Sequence, residues 1–363
     1  HITVGIDAAK EVHWATAVTR DGDVLLNRKV DNTAEDIGGL IAELAALEGP
    51  RLIGIDLLGG LATLISAMLI DADERLVHVP CLAVNRARQG SVGGQAKSDP
   101  RDARIIADQL RLRPADFRPV LLPDDTLATL RLLVGRRNDL VTDQTRRITR
   151  MRHLLNSIHP DLERALDLST TGPLIMLTRY VTAAEIRAAK PKTIVRFLRS
   201  RDARNPDKIA DHAYAAALAH PAVRLPAEAA TADLIREMAE EAVHCRTRLA
   251  VIDRKLTELI NTHPDGALTR SLPGMGVVLA AELLAQAGDL SRFRSAPALA
   301  SAAGLAPVLR QSGKSARLQR PGFANSRLKR VFYQSAFCSL GEPLSRAFYD
   351  RKRVLKAGSK LAA

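Results

Sequence analysis

Two short stretches decide the fold: ITVGID at residues 2–7 and RLIGID at residues 51–56. Each is an apolar run that closes on the same three letters, as Gly5-Ile6-Asp7 and Gly54-Ile55-Asp56. Short runs rich in Ile and Val predict buried strands, so each repeat puts one carboxylate at the C-terminal end of a strand. Working outward, VHWATAV (12–18) and VLLNRKV (24–30) flank the turn Asp21-Gly22-Asp23 and read as an antiparallel meander with the first strand. AEDIGGLIAELAALE (34–48) has helical spacing, residues 60–70 read as a second helix, and RLVHV (75–79) reads as one more strand.

The resulting order, βββαβαβ with mixed pairing, is the one expected of a ribonuclease-H-like (RuvC-like) α/β domain, placed here at residues 1–118. Beyond it the pattern changes to α. From about residue 124 to 165 the text changes: TLATLRLLVGRRNDLVTDQTRRITRMRHLLNSI (126–158) reads as one long amphipathic helix, a second runs through 230–262, and two such helices can pair as an antiparallel coiled coil. Together with a helical insert (168–228) broken at Pro191 and Pro206, they form a middle region at 119–262. Residues 263–345 read as a compact helical domain. Its Leu272-Pro273-Gly274-Met275-Gly276 turn has the look of a helix-hairpin-helix element, where helix-start N–H groups hold a phosphate, or else of a tight helix–helix turn. Residues 346–363 form a basic, poorly packed tail.

Composition narrows the partners. Lys and Arg number 53 against 40 Asp and Glu, a net charge of +13, and a field of that sign favours polyanions. Aromatic residues make up only 3%, which argues against a protein built on base-stacking platforms. Cys81, Cys245 and Cys338 are scattered, odd in number and in no CxxC pair, so neither a disulfide framework nor a zinc site is expected. No apolar run has membrane-spanning length, and a cytoplasmic protein is expected.

A lone Asp after a strand is ordinarily a turn or cap residue. Two matched endings are harder to treat that way, and a third acidic element follows in Lys97-Ser98-Asp99-Pro100-Arg101-Asp102. Ser98 is placed to cap a helix, and Asp99 and Asp102, three apart, share one of its faces. Acids in a first turn also complement the helix dipole, which accounts for that pair but not for the two strand-end acids. If Asp7, Asp56, Asp99 and Asp102 converge, they repel one another and raise each other's pKa. A hard cation, Mg²⁺ or Mn²⁺, relieves this, and two such ions about 4 Å apart are suited to phosphodiester cleavage.

GIDAAK, then GID with Gly59-Gly60 close behind, then KSDPRDA resemble the acidic domain of the DEDD transposases of the IS-one-ten and IS-one-eleven-eleven insertion-sequence group. LPGMGVVLAAELLAQAGDLSRFRSAPALASAAGLAPVLRQSGKS (272–315) resembles their C-terminal transposase domain. The resemblance covers nearly the whole chain, with one departure: the family's second acid is generally Glu, and here it is Asp56. The resemblance implies DNA cleavage and rejoining at Asp7, Asp56, Asp99 and Asp102, with Ser312 as a serine nucleophile. It also implies a bridge RNA that pairs with donor and target DNA, and a homo-oligomer, dimer to tetramer, in which acids of one protomer meet Ser312 of another. Ser315 is a rival on the same loop.

Basic residues surround these positions. Arg310, Lys314, Arg317 and Arg320 flank Ser312, and Arg327, Lys329 and Arg330 follow it. The first long helix carries Arg131, Arg136, Arg137, Arg146, Arg147, Arg150 and Arg152, with only Asp139 and Asp143 as acids among them, which predicts a polyanion-binding face. Three other readings stay open: a RuvC-type junction nuclease using the acids without a serine, an actin-like ATPase, for which DLLGG (56–60) is a poor phosphate loop, and a non-catalytic nucleic-acid-binding protein.

Overall fold

The computed structural model describes residues 1–91, 96–121, 124–221, 223, 225–313, 315–322 and 324–361, with side chains as far as residue 354. The chain divides into two compact units, His1–Leu122 and Pro123–Ala363.

The first unit is built on one sheet. Its elements are β1 (Ile2–Asp7), β2 (Val12–Val18), β3 (Val24–Asp31), α1 (Ala34–Ala45), β4 (Arg51–Ile55), α2 (Thr63–Asp71), β5 (Leu76–His78), α3 (Cys81–Gln89), α4 (Asp99–Leu112) and β6 (Arg118–Pro119). The strand order is β3-β2-β1-β4-β5-β6. β1, β2 and β3 form the expected antiparallel meander, and β4 joins β1 in parallel. The two repeats lie side by side in register, Gly5 against Gly54 and Ile6 against Ile55, so both strands end at the same edge.

Strand alternation divides the repeats between two faces. Val4, Ile6, Ile53 and Ile55 pack with Ile37, Leu40 and Leu44 of α1 and Ile65 and Leu69 of α2. Gly5, Gly54 and the two acids face the other way, toward α4. There the glycines are indispensable: a Cβ on Gly5 would lie 2.0 Å from the Ala103 carbonyl oxygen, and one on Gly54 would lie 2.7 Å from a methyl of Leu110. Their missing side chains let α4 lie directly on the sheet. Arg104 and Arg111 fasten that helix further by donating to the carbonyls of Gly22 and Arg20. Gly5→Ala is therefore expected to destabilise the protein by about 1–3 kcal/mol or more, as overpacking does. Gly38→Ala, on a stretch of α1 with open space around it, is expected to stabilise by about 0.5–1 kcal/mol. Urea midpoints of the two variants check this pair.

The second unit is helical apart from one hairpin. It contains α5 (Asp125–Ile158), α6 (Pro160–Ala165), α7 (Thr171–Leu177), α8 (Ala183–Arg199), α9 (Pro206–Ala219), α10 (Glu228–Thr262), α11 (Gly266–Arg270), α12 (Val277–Ala287), α13 (Ala296–Ala302), β7 (Val308–Ser312), β8 (Ser315–Gln319), α14 (Ser326–Cys338) and α15 (Pro343–Leu361). α5 and α10 pair antiparallel: Arg137 meets Asp253, the Leu140 carbonyl meets Cys245, and Gln144 donates to the Ala242 carbonyl. Two cores flank the pair. One joins its Met151–Ile158 end to α6–α9, and the other joins Leu130–Leu140 to α12 and α14.

Some expectations hold and others are corrected. The first long helix ends at Ile158 as expected, because His159 leaves helical geometry and Pro160 starts a new helix. Pro191 breaks the helical path as expected: Lys190 before it has φ +62°, so α8 is two helical pieces meeting at a kink. The C-terminal region is not wholly helical, since Val308–Gln319 forms a two-stranded hairpin. The tail forms α15, although its side chains through residue 354 stay almost wholly exposed. In the Pro273-Gly274 turn, Gly274 has φ +70° and stands where a Cβ would lie 2.3 Å from the Ser335 carbonyl oxygen, while the Ser335 hydroxyl donates to the Pro273 carbonyl. The turn is thereby packed on α14, as a tight helix–helix turn is. Among the described residues no helix is long and apolar enough to cross a membrane.

Candidate active site

Three elements build the acidic site. β1 and β4 deliver Asp7 and Asp56 to one sheet edge, and α4, seated on the glycines, brings its first turn beside them. The backbone N–H of Ala8 donates to the Asp56 carboxylate at 3.0 Å, which ties the end of one repeat to the other. Asp7 is half-buried, and its carboxyl is pushed up from the ordinary 3.8 to about 7. Burial is the largest cause, followed by repulsion from Asp56, then Asp102, then Asp99, with Lys97 opposing. The fields of the other three acids thus fall on the Asp7 carboxyl.

The acids do not form a finished ligand set. Among the described residues no three acids, imidazoles or thiols stand together as ready metal ligands. Asp102 is buried and held by Arg88 of α3, whose Nη1 lies 2.8 and 2.6 Å from its two carboxylate oxygens. Arg88 also donates to Asn85. Sequence reasoning missed Arg88 because its partner lies fourteen residues away, on the next helix. Ser98 does occupy the cap position of α4, but its side chain makes no capping bond; its carbonyl accepts from Asp102 N–H instead. Cys81 and His78 were also missed. The Cys81 thiol stands 3.3 Å from the Asp56 carbonyl and 3.7 Å from its carboxylate, and burial, then Asp56, push that thiol up. His78 Nε2 lies 3.2 Å from the same carbonyl, and burial holds its imidazole below the usual range.

Ser312 lies at the end of β7 and faces Ser315 across the hairpin, both exposed. Gly313 turns the chain with φ +55°, a conformation glycine adopts freely. Arg310, Arg317 and Arg320 are all exposed. Lys314 lies outside the described residues.

Part of the basic face of α5 is engaged within the protein. Arg137 pairs with Asp253 at 2.6 Å and Arg147 with Glu241 at 2.8 Å, both acids on α10. Arg131 donates to the Ala285 carbonyl near the end of α12, and Arg152 lies 3.6 Å from Glu163. Arg330 is paired with the buried Glu282 at 2.7 Å. These five have partners on elements that the local sequence does not show, although Arg131, Arg152 and Arg330 stay exposed. Arg146, Arg147 and Arg150 line a groove of about 500 Å³ that Glu237 and Glu241 also line. Arg136, Arg146 and Arg150 on α5, and Arg327 and Lys329 on α14, are exposed and form no ion pair with another element among the described residues. Replacing Arg136, Arg146 and Arg150 with Ala is expected to reduce the salt slope of DNA binding by roughly 0.9 for each phosphate no longer neutralised. Arg147→Ala is expected to lower stability instead. Binding titrations at several salt concentrations, with melting curves, separate the two.

An α/β sheet whose parallel strands deliver acids to one edge, with a further acidic turn brought beside them, defines the class of acid-bearing nuclease-like domains. Residues 4–160 match a family described as "Transposase", and residues 266–350 match "Transposase IS116/IS110/IS902 family". The chain is similar to the insertion element IS116 uncharacterized 44.8 kDa protein of Streptomyces clavuligerus, with 41% identity over 97% of this chain and 88% of that one. It is 39% identical to the insertion element IS900 uncharacterized 42 kDa protein of Mycobacterium paratuberculosis, over 97% of this chain and 89% of that one. A solved structure, T. thermophilus RuvC in complex with Holliday junction substrate, aligns with 33% of this chain and 99% of its own at 16% identity and a TM-score of 0.26, a likeness too slight to argue from. The chain belongs to the IS116/IS110/IS902 family of transposases.

Proposed function

We propose that this transposase cuts and rejoins DNA with Asp7, Asp56, Asp99 and Asp102 as a metal-binding set and Ser312 as nucleophile. The observation that carries the proposal is the Asp7 carboxyl, pushed up to about 7 by burial and by three neighbouring acids. A carboxyl raised by its fellows marks a site short of positive charge, and all-oxygen donors suit Mg²⁺ or Mn²⁺. When bound by these four acids, such an ion supplies Lewis-acid stabilisation of charge on phosphoryl oxygens. Ser312 Oγ gives up its proton to a basic oxygen and bonds to phosphorus. The bond from phosphorus to the leaving sugar oxygen breaks, and that oxygen takes up a proton. The phosphoserine ester conserves the bond for rejoining, when a second sugar hydroxyl reverses the step.

Donor and target DNA are the substrates on this reading, and the protein's positive charge serves their backbones. A bridge RNA supplies sequence choice by base pairing, and a homo-oligomer, dimer to tetramer, lets acids of one protomer serve Ser312 of another. Cleavage of DNA carrying the ends of the element is expected with Mg²⁺ or Mn²⁺ and to vanish in excess EDTA. Cleavage that persists in EDTA contradicts the metal-binding role of the acids.

A further inference from the structure

The hairpin that carries Ser312 sets two arginines against each other. Arg310 of β7 is the direct cross-strand partner of Arg317 of β8. Like charges directly opposite weaken a strand pair, and a lone two-stranded hairpin is marginal to begin with. Every residue of both strands is exposed, so no core compensates. No described side chain forms an ion pair with either guanidinium. The rung therefore holds an uncompensated double positive charge.

Alternation shows where that charge is aimed. Val308, Arg310 and Ser312 share one face of the hairpin with their partners Gln319, Arg317 and Ser315, while Leu309, Gln311, Ala316 and Leu318 take the other. The arginine rung thus stands two residues from the serine rung on the same face, about 7 Å along the strand. The Gly313 turn holds this register, and a slip by one residue would send Arg317 to the face opposite Arg310 and Ser312.

We propose that Arg310 and Arg317 form a clamp on the non-bridging oxygens of the DNA phosphodiester attacked at Ser312, an inference that rests on the nucleophile reading above. One phosphodiester between the two guanidiniums turns their repulsion into two charge-assisted contacts. The planar fork of each suits paired phosphate oxygens in a way an ammonium does not. The clamp also accounts for a serine exposed on a hairpin: the phosphate is brought to it by the neighbouring rung rather than by a pocket.

Full-length Ser312→Ala protein and DNA duplexes carrying an element end test this, each duplex bearing one neutral methylphosphonate at a different position. One position is expected to weaken binding by roughly ten- to a hundredfold, the value of contacts to a charged group. In Ser312→Ala protein that also carries Arg310→Gln and Arg317→Gln, the penalty at that position is expected to disappear while penalties elsewhere remain. Arg310→Glu, which puts opposite charges on the rung and so favours the hairpin, is expected to lose the same penalty. An unchanged profile in either variant overturns the clamp. A covalent adduct formed by Ser312→Ala protein overturns the nucleophile reading alone, and the binding profile still decides whether the arginines hold a phosphate.

Discussion

Asp7→Asn is expected to abolish DNA cleavage, by several orders of magnitude, and at the same time to raise the melting temperature of the metal-free protein at pH 8. On the proposed metal-binding role of the four acids, the loss follows from removing one of the carboxylates that would hold the ion and its charge stabilisation. The gain follows from linkage. The Asp7 carboxyl titrates at about 7 in the fold against an ordinary 3.8, so the folded state holds its proton longer than the unfolded chain does. Wild-type stability gained from the neutral carboxyl is fully present below about 4 and is lost as pH rises through about 7. The asparagine has no proton to lose, so its advantage grows across that window and levels off above it. At pH 4 the two proteins are expected to melt alike, apart from the change in hydrogen bonding. Adding Mg²⁺ at pH 8 is expected to raise the wild-type melting temperature more than that of the variant, because the ion binds the folded acids. Equal melting at pH 8 and an equal response to Mg²⁺ would contradict the strained site.

Removal of the Ser312 hydroxyl has the second large effect. On the proposed serine mechanism, the energy of the cut bond is kept in a phosphoserine ester until rejoining. Ser312→Ala is therefore expected to lose both the protein–DNA adduct and recombination, while DNA binding stays within a few-fold of wild type because one exposed hydroxyl adds little. Ser315→Ala, on the same rung, is expected to keep the adduct. A mixture of Asp7→Asn and Ser312→Ala proteins is expected to recover part of the activity if acids and serine come from different protomers. No recovery in confirmed mixed oligomers would assign both to one chain. Cleavage without an adduct in the wild type would favour the junction-nuclease chemistry, in which acids alone direct the cut.

The sheet was legible because its signals are local. β-branched runs, the Asp21-Gly22-Asp23 turn and the repeated Gly-Ile-Asp specify strand and connection within a few residues, and β1 to β5 lie close to their predicted places. The acid positions were legible for the same reason, since each follows a strand or opens a helix. What the glycines of the repeats do was not, because Gly5 meets Ala103 nearly a hundred residues away. Separation along the chain likewise hides Arg88 from Asp102, fourteen residues on and in the next helix, and Glu241 from Arg147, ninety-four residues away. A charge run on one helix says nothing of the acids on another, which is why α5 read as more open to polyanions than it is. The hairpin at Val308–Gln319 was missed for a different reason. Its faces are not apolar against polar: one pairs arginines and serines, the other two leucines with glutamine and alanine, and such a pattern carries no half-buried strand signal.

The most direct measurement is peptide mass spectrometry of the wild-type protein, denatured after reaction with element-end DNA and Mg²⁺ and then digested with protease and nuclease. A nucleotide esterified to Ser312 is expected. A nucleotide on Ser315 or any other residue, or cut DNA with every serine unmodified, would contradict it.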